Sequence, residues 1–205
     1  MKKFIIIFIV FAMIHTKNYA QSFYTLQDKF LIGYEVGIPS NDFISKTSWR
    51  GGKIEYRRMI KPNISVGISG SWNSFEEYVP KTTYQKPDGS GAITSDIVKS
   101  VYNVPLTVNA HYYFKGGKKI LPYAGLGLGT MYSDQTIYFN IYGLEDETWG
   151  FVARPEVGLI YPFQGSHTAI YLSAAYNYAS NNSDAMNTDN LSHFAASIGF
   201  IFSSR

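Results

Sequence analysis

The sequence predicts an all-β chain, an eight-stranded antiparallel transmembrane β-barrel with short periplasmic turns and longer extracellular loops. Three observations predict it. Beyond Gln27 apolar and small or polar residues alternate with period two in eight separate runs. The connections between those runs alternate between short and long. Aromatic residues are abundant, 17 Tyr, 14 Phe and 3 Trp, and large aromatics stand at both ends of the apolar faces, as two membrane interfaces would select.

An export leader comes first. Lys2 and Lys3 precede the apolar run Phe4 to Ile14, and Asn18-Tyr19-Ala20 supplies a small residue at the cut. His15 and Lys17 end the run well short of the roughly 20 apolar residues of a membrane helix. Residues 1–20 are therefore read as a signal peptide and 21–205 as one barrel domain. Taking Lys2, Lys3 and Lys17 from the 18 basic residues leaves 15, equal to the 15 acids, so the exported part is neutral and offers no basic excess for nucleic acid. Cysteine is absent, which excludes a disulfide framework, a thiolate metal site, a cysteine nucleophile and a lipid anchor through cysteine.

The first strand is expected over Phe30 to Ile38, with Phe30, Ile32, Tyr34, Val36 and Ile38 on one face and Glu35 on the other. The second, Trp49 to Ile60, sets Ile54 and Tyr56 against Lys53, Glu55 and Arg57. The third, Ile64 to Phe75, sets Val66, Ile68 and Trp72 against Ser65, Ser69, Ser71 and Asn73. The fourth, Tyr102 to Phe114, is the most regular, with Asn103, Thr107, Asn109 and His111 opposite seven apolar positions. The fifth starts at Leu121 and opposes Leu126 and Leu128 to Gly125, Gly127 and Gly129, glycines that make room in a crowded lumen. The sixth, Trp149 to Tyr161, opposes Phe151, Val157 and Leu159 to Arg154 and Glu156. The seventh, Thr168 to Ala179, and the eighth, Ser192 to Phe202, alternate in the same way. Short connections are expected at 61–63, 115–121 and 162–167, and long ones at 39–48, 76–95, 140–147 and 180–190.

A secreted soluble barrel with an apolar interior would also alternate. The second face decides against it, because that face is small, polar or charged. Trp72, Tyr132, Trp149, Tyr176, Tyr178 and Phe194 lie toward the long-loop rim, and Phe30, Tyr112, Phe114, Tyr161, Phe200 and Phe202 toward the short-turn rim. The greasy face therefore meets lipid.

Tyr102-Asn103-Val104-Pro105-Leu106-Thr107 through Tyr112-Tyr113-Phe114, then Pro122-Tyr123-Ala124-Gly125-Leu126-Gly127-Leu128-Gly129, resembles the outer-membrane β-barrel domain family of small OmpA-, OmpX- and OmpW-like barrels. The closing Phe200-Ile201-Phe202 resembles the aromatic last strand that the barrel assembly machinery recognises, here followed by Ser203-Ser204-Arg205. The resemblance implies residence in the bacterial outer membrane, with outer-membrane lipid and that machinery as partners. Eight strands leave no room for a periplasmic domain, so a bare barrel is expected.

The inward charges are Glu35, Glu55 and Glu156 against Lys53, Arg57 and Arg154. An eight-stranded lumen is filled by its own side chains, and unpaired buried charges are costly, so a paired plug is expected rather than a pore. No cofactor or metal is expected: His111, His167 and His193 are scattered, and the glycine alternation of the fifth run precedes no helix. A lipid-modifying enzyme needs a Ser and a His within hydrogen-bond reach. His193 and Ser197 stand four residues, about 13 Å, apart along one strand face. Ser192 is expected on the opposite face, and His167 follows Ser166 in a periplasmic turn.

A last expectation concerns height. The fourth strand can be extended back to Asp96 and the fifth forward to Ile141, which pairs Val101 with Gln135. Near that level apolar character moves from the outer face to the inner, giving Phe75, Ile97, Val101, Ile137, Phe139 and Ile141 as a possible apolar chamber above the membrane. Three functions follow: a non-enzymatic structural or interaction protein acting through extracellular loops, a conduit or binding site for small hydrophobic molecules, and a lipid-modifying enzyme. The sequence names no extracellular partner.

Overall fold

The computed structural model describes residues 28–41, 43–85, 91–114, 119–139, 142–164, 166–182, 188 and 190–204. The leader expected over residues 1–20 lies outside them. Eight strands run β1 (Asp28–Pro39), β2 (Arg50–Lys61), β3 (Ile64–Gln85), β4 (Ala92–Tyr113), β5 (Leu121–Phe139), β6 (Tyr142–Pro162), β7 (Thr168–Ala179) and β8 (His193–Ser203). Every neighbour is antiparallel, and β1 pairs with β8 from Lys29↔Ser203 to Pro39↔His193, so the sheet closes into a barrel.

Closure follows from the alternation. With period two, each strand gives one face to the lumen and one to the outside, and closing the ring leaves no strand without a partner. Ile32, Ile68, Val108, Leu128, Val157, Leu172 and Ile198 are about half exposed on the outer face, where a soluble fold would bury them. Trp72 lays its ring over Gly52 on the neighbouring strand, in the space where a Cβ would stand. Tyr132 pairs with Trp149, their ring centroids 5.2 Å apart, so the upper aromatic level bridges β5 and β6.

Two expectations on length are corrected. The connections expected over 76–95 and 140–147 are strand hairpins: β3 continues to Gln85 and β4 begins at Ala92, while β6 begins at Tyr142. Strands β3 to β6 are 19 to 22 residues long, whereas β1, β2, β7 and β8 have 11 or 12. A tilted crossing needs only about 9–11. Half of the barrel wall therefore rises as a four-stranded sheet above the upper aromatic level. The expected register holds, with Val101 opposite Gln135, and Phe114 N donates to Pro122 O at 3.0 Å.

Candidate functional site

The lumen is built in layers. At the periplasmic end Leu31, Tyr113, Leu121, Tyr123, Ile160, Ala169, Tyr171 and Ile201 form a buried apolar cap. Lys29 sits within this level with its ammonium 4.8 Å from the Tyr113 ring centroid and 3.6 Å from Met59 Sδ. Sequence reasoning missed this buried cation, because Asp28 and Lys29 look like a polar strand start.

Above the cap the six expected charges come together. Lys53, Glu55 and Arg57 occupy successive inward positions of β2, and Glu156 reaches them from β6. Arg57 donates two bonds to Glu55, Nε to Oε1 and Nη2 to Oε2, both at 2.8 Å, and Nη2 also reaches Glu156 Oε1 at 3.2 Å. Lys53 Nζ lies 2.5 Å from Glu156 Oε2 and 3.1 Å from Glu55 Oε2. Tyr123 donates to Glu156 Oε1 at 2.6 Å, and Asn109 Nδ2 donates to Glu55 Oε1 at 3.1 Å. Room for these long side chains comes from the glycines of β5. A Cβ at Gly125 would strike the His111 ring, and one at Gly127 the Asn109 amide oxygen.

Arg154 belongs to a second group. Its closest carboxylate is Glu35 on β1, with Nη2 2.5 Å from Oε2 and Nη1 3.4 Å from Oε1, and a longer ion pair joins its Nε to Glu156 Oε2 at 3.7 Å. Asn73 and Ser197 also donate to Glu35, at 2.9 and 2.8 Å. Arg154 Nη1 donates to Ser71 and Asn177. All six side chains are almost completely buried, so the low dielectric around them makes each pairing strong and each orphan costly.

Over this network the interior turns apolar again. Phe43, Ile44, Phe75, Val101, Met131, Val152, Ala179 and Leu191 form one buried cluster. Of the chamber residues, Phe75, Ile97, Val101 and Ile137 are buried, Phe139 is half-buried, and Ile141 lies outside the described residues. Around Phe75 and Val101 the space is occupied. Phe43 and Ile44 descend from the loop between β1 and β2, with the Phe43 ring edge-on to Phe75 at 5.6 Å, and Leu191 enters from the loop before β8. Their signal was an apolar pair inside the polar stretch Asn41-Asp42-Phe43-Ile44-Ser45-Lys46.

The chemistry of this interior is that of neutralised charge. Glu55, His111 and Glu156 each bring a ligand atom within 4.8 Å of the others. Lys53 and Arg57 already bind both carboxylates there, so a metal ion would compete with two resident cations. His193 hydrogen-bonds the Asn177 amide at 2.9 Å and the Leu191 carbonyl at 3.2 Å. Ser192, expected outside, is buried in the residue just before β8, where its hydroxyl bonds the backbone of Ala179. Strand order has not begun there, so alternation does not apply.

An aromatic-rimmed ring of eight strands, apolar outside and filled with ion pairs inside, defines a transmembrane barrel of the bacterial outer membrane. The chain belongs to the outer membrane protein beta-barrel domain family, whose model matches residues 6–202. No curated protein gave a significant match. Among solved structures it is similar to the outer membrane protein OprG from Pseudomonas aeruginosa, at 15% identity over 88% of this chain and 96% of that one, with a TM-score of 0.56. It is also similar to Neisserial surface protein A (13% identity, 87% and 97% covered, TM-score 0.54). A third likeness is to Ail, the attachment invasion locus protein of Yersinia pestis (13%, 87% and 99%, 0.53). At these identities the likeness concerns the fold.

Proposed function

We propose that this barrel is a non-enzymatic protein of structural or interaction role, and that the part above the membrane makes its contacts. One observation carries the reading: β3 to β6 carry from a third to more than half of their length beyond the aromatic band, while the lumen beneath is packed with paired charges. Strand length beyond what a crossing needs is surface presented to the outside. The filled interior supports interaction over conduction, because small solutes would have to break the Arg57–Glu55 and Arg154–Glu35 pairs to pass. Barrel assembly through the aromatic β8 is part of the same proposal.

Planar-bilayer recording tests it. Purified barrel should give no sustained single-channel current, with or without small hydrophobic solutes. Steady conductance that such solutes block would overturn the reading in favour of a conduit. New acyl products in lipid A-containing vesicles would overturn it in favour of a lipid-modifying enzyme.

A further inference from the structure

The sheet above the membrane has two lateral margins, and they differ. On β3 the last residue paired with β2 is Ser74, opposite Arg50. Beyond it the margin is blunted. Pro80 has no N–H to offer, and the register with β4 shifts between Val79 and Thr82. The loop before β2 also leans on it, Ser45 N donating to Glu77 Oε2 at 3.1 Å. Proline, irregularity and covering loops are the usual means of keeping an edge strand from pairing.

Among the described residues the β6 margin over 143–149 has neither proline nor register shift. The loop after β7 touches it at Thr148, whose carbonyl and hydroxyl oxygens accept from Asn181 Nδ2 at 3.1 and 3.3 Å. The highest partner of β6 on β7 is Ala179, opposite Val152, and Phe151 closes the contact by accepting from Ser180 N and donating to Ser180 Oγ, both at 2.9 Å. Among the described residues no strand pairs with 142–149 on that side. The other side is fully zipped to β5 without a register shift, from Phe139↔Tyr142 to Leu121↔Ile160, so the segment is held extended. Counting in twos from Phe151, the backbone N–H and C=O groups of Gly143, Glu145, Glu147 and Trp149 point to the open margin. The same stretch contains three acids, Glu145, Asp146 and Glu147, and no base or proline. The side chains of Glu145, Glu147 and Trp149 are exposed on the outer face.

We propose that the open margin of β6, residues 143–149, docks an extended cationic polypeptide segment as an added strand. This rests on the reading of the barrel as an interaction protein and names the chemistry of its partner. Backbone pairing supplies the docking, as in other cases of strand addition. Specificity comes from spacing. On the outer face of an added strand every second side chain stands about 4.5–5.5 Å from the residue opposite. Lysines or arginines two residues apart would meet Glu145 and Glu147 together, and the next alternate position would lie on the Trp149 ring.

The test uses the full barrel in zwitterionic phosphatidylcholine nanodiscs, with two synthetic peptides of identical composition. One alternates lysine and threonine; the other carries the same residues in two blocks. The alternating peptide should bind at least tenfold more tightly at low salt, and 0.5 M salt should weaken it. Methylating alternate backbone nitrogens, in the phase that faces β6, should abolish binding with charge unchanged. Glu145→Lys with Glu147→Lys should abolish it too, and the milder Glu145→Gln with Glu147→Gln should weaken it while the barrel stays folded. Equal binding of both peptides, or no loss on methylation, would overturn the proposal as mere charge attraction, as would no binding at all. Any of these leaves the interaction reading intact. Sustained bilayer conductance would remove that reading by itself.

Discussion

Arg154 shows what one substitution would reveal about the lumen. Removing its guanidinium leaves Glu35 buried, with Asn73 and Ser197, both uncharged, as its remaining donors among the described residues. Arg154→Met should therefore destabilise the barrel by about 3–5 kcal/mol, as broken buried pairs do. Arg154→Met combined with Glu35→Gln should recover part of that, measured by urea titration in lipid vesicles. Unchanged unfolding in both variants would mean that water solvates these groups. Glu77, above the membrane, gives a pH test. Burial alone would raise its carboxyl, yet the Ser45 hydroxyl and amide, and then Lys99, hold it below the ordinary value. A depressed carboxyl contributes above its unfolded value, and the contribution disappears as pH falls through the folded one. The protection factor of the Ser45 amide, its exchange rate corrected for the intrinsic pH dependence, should thus fall on acidification below the usual carboxylate range, and fall further than the protection factors of β1 amides. Glu77→Gln should remove the extra pH dependence. The six inward charges were legible because alternation fixes the face of each. Their pairing was not. Glu35 and Arg154 are 119 positions apart, and only the closed ring brings β1 opposite β6.

Strand limits were legible where alternation is clean and lost where it is interrupted. On β4 and β5 the inner face changes from Asn103 and Thr107 to Val101 and Ile97 without breaking period, so the extension could be followed upward. On β3 the bulge between Val79 and Thr82 and Pro80 break the period, and the segment read as a loop. On β6 the run Glu145-Asp146-Glu147 is acidic on both faces, which conceals a strand from hydrophobic patterning altogether. The pieces that fill the upper interior come from loops, where no period exists to announce them. Phe43 and Ile44 are buried against Phe75, which is itself fully buried. Phe75→Ala should cost about 3–5 kcal/mol, in the range for a large core aromatic. Phe139, half-buried near the tip, should cost clearly less. Equal and small losses at both positions would show that the upper cluster is loosely packed and able to admit a ligand.

The molecule as a whole is asymmetric, one half of its wall ending near the aromatic level and the other half continuing past it. That asymmetry assigns different solvents to side chains that look alike in sequence. Leu106, 46% exposed, and Tyr78, 59% exposed, both point outward, Leu106 from the lower half of β4 and Tyr78 from the upper half of β3. Leu106 stands in a patch with Ile54, Ile68, Val108 and Leu128, between the two aromatic rims. Tyr78 has Val98 opposite it, and its hydroxyl meets Asp96 at 3.4 Å, in surroundings that suit water. Lipid at the midplane cannot solvate a guanidinium, so Leu106→Arg should cost about 2–4 kcal/mol of folding stability in vesicles. Tyr78→Arg should change stability by no more than about 0.5 kcal/mol, the range for exposed surface positions in water. Transfer from vesicles to a short-chain detergent should shrink the Leu106→Arg penalty, because a micelle deforms around a charge more easily than a bilayer, and should leave Tyr78→Arg as it was. Comparable penalties at the two sites would place both in one environment. The wall would then have to sit differently in the membrane, with the upper halves of β3 to β6 immersed and the open margin of β6 facing lipid.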